Sequence, residues 1–434
     1  MNARTMGIAV SGLALLLGST ASAEIPIAKS DTAELDAGGM IQALGFAQHL
    51  DDPDKDDNRL YLFLNRARLR LSGHYDRISF YTEMGVGGED TVVSQTGVSL
   101  SLLDFAFGIP LSPGGTTYLK VGQFKVPYGR EQLAYSANFQ FADRSIDYLG
   151  FKVGRDVGAA VVSKPGPFTL IAGIFTGGGR DVPPDHYLPE KLGVPLLAAR
   201  AGVGNVDDDP FVLAQSDVAA AARKLRAAFF LNGLYTRDSL IGHSTVLNVK
   251  LADKSLLLDG NWNPYIGQAP LNRGTWWQAG ADAAVRIPLR AVDLAGEAQF
   301  DLGRYENDYG SVQIWGLRAQ GGVLYGPFEL ALRYAILGPD SKFAYMTVPL
   351  TGSQAIQEIT PSLAWYIRGR NLKLLADAPV IIHDVVFTET GVGSYAATDL
   401  PDQATILASM GTPTASTVTR QNVIEGRLML QAQF

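Results

Sequence analysis

The chain contains no cysteine in its 434 residues. No disulfide staples it and no thiolate holds a metal, so its stability rests on packing and backbone hydrogen bonds. Histidine is scarce, five in all, and no two stand at a metal-binding spacing such as H-x-x-x-H. No Gly-x-Ser-x-Gly elbow occurs. No catalytic residue, metal site or cofactor is therefore expected. Positive charge is in deficit, with 36 Lys and Arg against 43 Asp and Glu, which excludes the basic face of a nucleic-acid binder. No run reaches eighteen apolar residues, so no transmembrane helix is expected. Pro/Ser-rich linkers and a shift in composition between halves are also lacking, although the length alone suggests two or three domains.

What is present begins with the N-terminus. Arg4, the apolar run Gly7 to Gly18 and the small-x-small site Ala21-Ser22-Ala23 read as a secretory signal peptide, residues 1–23, removed after Ala23. Residues 24–434 then form one exported domain. The other end is equally telling. Ile424, Leu428, Leu430, Ala432 and Phe434 share one parity, and Glu425, Arg427, Gln431 and Gln433 the other. That is a strand with one apolar and one polar face, ending on a bare aromatic residue. An exposed apolar edge invites aggregation in a soluble protein. In an outer-membrane barrel the last strand pairs with the first and turns its apolar face to lipid.

The same alternation recurs throughout, as in Phe328, Leu330, Leu332, Tyr334 and Ile336 against Glu329 and Arg333. The pattern predicts about sixteen strands, near 38–50, 58–72, 76–85, 96–107, 116–126, 154–163, 167–177, 223–237, 245–258, 274–287, 291–302, 312–324, 327–337, 355–367, 370–388 and 419–434. Short connections such as Gly73-His74-Tyr75 and Tyr325-Gly326 alternate with long ones near 127–153, 178–222, 259–273, 338–354 and 389–418. The expected fold is an all-β transmembrane antiparallel β-barrel with short periplasmic turns and long external loops. Sixteen strands leave an aqueous channel. Aromatics near strand ends, including Phe63, Tyr75, Tyr81, Tyr118, Trp262, Tyr265, Trp276, Tyr325 and Trp365, are expected in the interfacial girdles. The acidic run Asp51 to Asp57 reads as a solvated external loop that meets lipopolysaccharide through divalent cations.

Arg66, Arg68 and Arg70 share a parity in the second predicted strand, and Phe63, Ala67, Leu69 and Leu71 the other. Arginine in lipid is costly, so the three are expected in the lumen as a ladder spaced about 6.5–7 Å. Rows of Arg and Lys select anions in pores. The alternative is that they pair with lumenal acids such as Asp282, Asp293, Glu297 and Asp301, leaving a wet pore of little selectivity. The third external loop, 127–153, is rich in aromatic and apolar residues and is expected to fold into the lumen and narrow it. Around it stand Lys125, Arg130, Arg144, Lys152 and Arg155, nearly balanced by Glu131, Asp143, Asp147 and Asp156.

The segments Asn65-Arg66-Ala67-Arg68-Leu69-Arg70-Leu71-Ser72-Gly73, Gly122-Gln123-Phe124-Lys125-Val126-Pro127-Tyr128-Gly129, Phe141-Ala142-Asp143-Arg144-Ser145 and Gly154-Arg155-Asp156-Val157-Gly158 resemble the phosphate-selective porin O and P family of Gram-negative outer membranes. The resemblance implies a sixteen-stranded homotrimeric barrel whose third loop lines the constriction. It implies Arg66, Arg68, Arg70, Lys120 and Lys125 as the anion-binding set, to which the loop residues Arg130 and Arg144 are added here. The expected function is an outer-membrane porin passing small hydrophilic solutes and inorganic anions such as phosphate. Three alternatives stand beside it: a non-selective diffusion porin, a barrel-scaffold enzyme such as a lipase, and a surface adhesin using the long loops.

Overall fold

A computed structural model describes residues 24–50, 57–87, 90, 92–94, 97–177, 179, 194–204, 225–237, 275–307, 310–339, 344–345, 348–349, 355–389, 393–396 and 415–434. The signal peptide expected over 1–23 and the acidic run 51–56 lie outside them. Among the described residues sixteen strands form the wall. They are β1 (Ala33–Leu50), β2 (Asp57–Tyr75), β3 (Ile78–Val86), β4 (Ser101–Pro110), β5 (Thr117–Lys125), β6 (Arg155–Ser163), β7 (Phe168–Phe175) and β8 (Val194–Gly204). The second half comprises β9 (Arg226–Arg237), β10 (Thr275–Pro288), β11 (Asp293–Asn307), β12 (Gly310–Tyr325), β13 (Phe328–Pro339), β14 (Ile356–Arg370), β15 (Leu372–Asp377, continued by Val380–Glu389) and β16 (Ala415–Gln433). Each strand pairs antiparallel with its sequence neighbours. The ring closes where β16 pairs with β1, from Met40 opposite Gln433 to Leu50 opposite Val423. Closure leaves no open edge, so every wall amide has an inter-strand partner within reach. Below that seam a short N-terminal strand, Glu24–Lys29, takes over as the neighbour of β1, with Glu24 opposite Gly38.

The wall is apolar outside and polar inside. On β16, Ile424, Leu428 and Leu430 are about half exposed (53%, 53% and 49%), whereas Glu425, Arg427 and Gln431 are at most 7% exposed. Phe434 closes the seam by exchanging backbone hydrogen bonds with Gly39 (2.8 and 3.0 Å). A side chain at Gly39 would meet the Phe434 ring at 2.5 Å, which accounts for the glycine.

Several expectations need correction. Strand β8 lies inside the segment expected as a loop over 178–222. The segment 245–258, expected as a strand, falls outside the described residues, and β9 pairs directly with β10 from Arg226 opposite Arg286 to Arg237 opposite Thr275. The strict loop alternation also fails twice. The connection 205–225 is long although it lies at the end carrying the termini, and 308–309 is short although it lies at the opposite end. Phe63 does not face lipid. A bulge in β2 places Arg66 opposite Gln42 but Leu64 opposite Ala43, so Asn65 is the extra residue and parity inverts above it. Leu60 and Leu62 then point outward (83% and 82% exposed), and Phe63 packs inward beside Leu44 and Phe46. Trp276 is likewise buried, and Tyr81 and Tyr118 line an internal cavity, so none of these joins a girdle. Tyr75, Tyr325 and Trp365 do stand exposed on the outside, the last stacked on Phe328 at 6.1 Å. Trp262 and Tyr265 fall outside the described residues.

Candidate functional site

The third loop, residues 126–154, leaves the top of β5 and returns to β6. Its sequence carries the aromatic and apolar residues of a core, and it is buried almost throughout. Gly129, at φ +63°, turns the chain inward into helix α1 (Arg130–Leu133). A 3-10 turn over Ser136–Asn138 follows, then helix α2 (Ile146–Phe151). The Ser145 hydroxyl accepts from the Tyr148 amide at 3.3 Å, an N-cap, and donates to Glu131 at 2.6 Å, which ties α2 back to α1.

Hydrogen bonds from many strands pin this loop across the lumen. The Gly129 amide donates to Asn232 of β9, and Tyr128 Oη to Asp301 of β11 at 2.7 Å. Gln140 Nε2 donates to Glu329 of β13 at 2.6 Å, and the Ile146 amide to Glu358 of β14 at 2.9 Å. The Ala142 amide donates to Asp377 of β15 at 2.8 Å. Cations of the wall take the loop's carbonyls. Lys373 Nζ donates to Ala137 O and Phe139 O (3.0 and 2.8 Å), and Arg333 to Asp143 O at 2.9 Å. Beside these charged anchors, Ala142 packs on an apolar inner patch of Leu44, Phe46, Ala364, Tyr366, Leu375 and Met429. The lumen is therefore not polar all round, because one sector is a packing surface for the loop.

Helix α2 seats in a notch of glycines. A side chain at Gly316 would meet Asp147 Oδ1 at 2.0 Å and the Phe151 ring at 2.8 Å, and one at Gly303 would meet Phe151 at 3.3 Å. Asp147 is fully buried there, and neither of its carboxyl oxygens has a hydrogen-bond partner. Burial, reinforced by Asp301, raises its pKa well above the ordinary carboxyl value; Arg318 opposes this and Glu131 and Glu358 add to it. Burial and the adjacent Asp301 carboxylate likewise raise the Tyr128 phenol. In the second loop, burial alone would raise the Asp90 carboxyl, but Arg68 outweighs it and holds Asp90 below its ordinary range.

The seven basic residues singled out by the sequence all lie on the inner face or in the third loop, but they are not one open ladder. Arg66 donates to Gln42 Oε1 at 3.0 Å and to Asp143 at 3.1 Å. Arg68 chelates Asp90 at 2.5 and 2.8 Å and reaches Glu83 at 3.3 Å. Arg70 pairs with Glu24 at 2.8 Å and lies 5.4 Å from the Tyr135 ring centre. Arg130 pairs with Glu297 at 3.0 Å, and Arg144 stands over the Phe139 and Tyr148 rings at 4.9 and 4.5 Å. Lys120 lies over the Phe124 ring at 5.0 Å. Lys125 Nζ donates to Leu133 O and Ala134 O (3.3 and 2.9 Å). Acid pairing of the arginines thus occurs, through Glu24, Glu83, Asp90 and Asp143 and, for Arg130, through Glu297, one of the acids expected for this role. The other three expected acids serve other groups: Asp282 pairs with Arg200, Asp293 with Arg286, and Asp301 accepts from Tyr128.

Below the loop, toward the termini, a cavity of about 450 Å3 is lined by Arg70, Lys120, Lys125 and Arg155, with Arg77 at its rim and Glu83 and Asp104 in its wall. Arg155 spends its charge on Asp104 at 2.8 Å and Glu83 at 3.4 Å. Sequence reading passed over Arg200, Arg318, Arg333 and Lys373, which hold the loop and the wall together. Their signal was present: Arg318 and Arg333 stand at inward parity beside inward acids, and Arg200 sits among alanines that weaken the strand pattern.

This architecture, a closed sixteen-strand antiparallel barrel with a loop-filled lumen, is the porin fold. Residues 39–187 match the family described as phosphate-selective porin O and P. Among solved structures, the anion-selective porin from Comamonas acidovorans superposes with a TM-score of 0.54 at 12% identity, covering 93% of this chain and 100% of that one. OprB of Pseudomonas putida gives 0.51 at 12% identity, covering 93% and 94%. The channel DcaP of Acinetobacter baumannii gives 0.50 at 12% identity, covering 94% and 99%. Comparison with curated protein sequences finds no significant match.

Proposed function

We propose that the protein is an outer-membrane porin, a water-filled channel for passive diffusion of small hydrophilic solutes that favours anions, rather than an enzyme. The observation that carries this is the cavity beneath the third loop, whose lining holds Arg70, Arg77, Lys120, Lys125 and Arg155 against Glu83 and Asp104, with Glu24 as a third acid on Arg70. A surplus of positive charge in a confined, low-dielectric passage lowers the entry barrier for anions and raises it for cations. Lys125 supports the reading most directly, because its Nζ donates to two carbonyls and no carboxylate among the described residues stands within ion-pair distance of it.

The buried pairing of Arg66 and Arg68 favours a second reading for the upper lumen: those arginines hold the second and third loops and do not meet solute. On this reading the selectivity set narrows to Arg70, Lys120 and Lys125, while Arg130 and Arg144 organise the loop. Phosphate as the solute and a homotrimeric assembly are carried by the family resemblance, and contact with lipopolysaccharide by the acidic run Asp51 to Asp57; these complete the proposal. The neighbour from Comamonas acidovorans is described as anion-selective, which supports the same preference. The test is reversal potential across a planar bilayer in a KCl gradient. An anion-leaning potential that moves toward cations in Lys125→Glu supports the proposal, and an unmoved one removes Lys125 from the permeation path.

A further inference from the structure

The cavity beneath the third loop holds three tyrosines among its cations, and charge alone does not account for them. Tyr81 of β3, Tyr118 of β5 and Tyr135 of the third loop line it together with Arg70, Lys120 and Lys125. The loop residues Leu133 and Ala134, whose carbonyls receive Lys125 Nζ, directly precede Tyr135. Ammonium and ring are thus positioned by the same turn of chain. An ammonium has three donors, and two are used by these carbonyls, which leaves one for a ligand. The Arg70 guanidinium lies 5.4 Å from the Tyr135 ring centre and steadies it.

The volume adds a size argument. About 450 Å3 falls within the roughly 300–1,000 Å3 typical of pockets that enclose small organic molecules. A tetrahedral oxyanion, with five heavy atoms, leaves most of that space empty. The wall also carries Glu83 and Asp104, which take up the charge of Arg155, so the positive charge that remains suits a singly charged anion better than one of several charges. A ligand with one negative charge and a flat apolar body satisfies all three features. We propose that this cavity is a binding station for aromatic monocarboxylates, with the carboxylate on Lys125 and Lys120 and the ring among Tyr81, Tyr118 and Tyr135, in preference to phosphate. This rests on the reading of the barrel as an anion-favouring channel and names the class of anion it holds longest.

The experiment is single-channel recording of the full-length protein in KCl, with benzoate or inorganic phosphate added at equal concentration to the side that carries the termini. Benzoate is expected to interrupt the current at a concentration about tenfold lower than phosphate. Tyr135→Ala and Tyr118→Ala should each weaken the benzoate block about three- to tenfold, the range of one aromatic contact, whereas Tyr135→Phe should keep it. Tyr118 lies on the wall, so its variant reads the site without touching the third loop. Phosphate blocking as well as benzoate, or benzoate block indifferent to both alanine variants, would overturn the proposal. A cation-leaning reversal potential with tyrosine-dependent benzoate block would sink the channel's anion preference and leave the site standing.

Discussion

Asp147 is a carboxyl group buried on the docking face of α2 with no hydrogen-bond partner, and it makes the seating of the third loop sensitive to pH. The charged groups that act on it are Glu131 on the loop, Asp301 on β11, Arg318 on β12 and Glu358 on β14; Glu297 in turn pairs with Arg318, and Arg333 of β13 with Glu131 and Glu358. Burial and the surrounding carboxylates outweigh the guanidinium of Arg318, so the docked state favours the protonated acid. The sign follows from linkage. A carboxyl whose pKa is raised on docking leaves docking unpenalised at pH values below its ordinary range, near 3.9, and weakens it progressively as pH rises toward the docked value. A buried polar group without a partner costs about 1–3 kcal/mol, which changes a docked-to-undocked ratio roughly 5- to 150-fold. Asp147→Asn keeps the shape and removes the charge. Single-channel recordings from about pH 5 to about pH 8 should show the wild type spending more time in its larger conductance state as pH rises, with the variant flat across the range. A wild type insensitive to pH, or a variant with the same pH slope, refutes the reasoning.

Filling the glycine notch tests the same seat sterically: Gly316→Leu should drive Asp147 and Phe151 off β12 and raise mean conductance, while equal conductance would show that α2 does not limit the pore. Arg68→Met leaves Glu83 and Asp90 without their central cation and should cost about 3–5 kcal/mol, as for other broken buried pairs, read as a lower unfolding midpoint of the barrel in denaturant. Leu428→Arg places a charge on the outer face of β16 and should cost about 2–4 kcal/mol near mid-bilayer, seen as reduced assembly into lipid; unchanged assembly would mean that this face does not meet lipid.

The barrel was legible because its signal is redundant. A period of two survives in every strand whose inner residues are charged and whose outer residues are large, as in Phe328 to Ile336 and in Ile424 to Phe434. It faded where both faces are small. In β8, Leu197, Ala199, Ala201 and Val203 alternate with Ala198, Arg200 and Gly202, and Pro195 stands at its start, so one arginine carried nearly the whole pattern. The inversion at Asn65 was hidden for a different reason. A bulge is a property of the pairing of two strands, and nothing in Leu64-Asn65-Arg66 alone states that Gln42 and Ala43 are adjacent partners. The site was half legible. Parity put Arg66, Arg68 and Arg70 on the inner face, but their partners Asp143, Asp90 and Glu24 lie 77, 22 and 46 positions away and depend on how the loops fold back. Of the cavity's tyrosines, Tyr81 and Tyr118 were read as girdle residues, because parity tells inside from outside only when the strand's register is known.

The anion preference proposed for the lumen depends on its carrying anions past the third loop. Reversal potential of the reconstituted protein in a tenfold KCl gradient at neutral pH tests that directly. The cations of the cavity predict a potential displaced toward the chloride equilibrium value, and its return toward zero in the double variant Lys120→Gln, Lys125→Gln. A potential displaced toward the potassium value in the wild type would contradict the account.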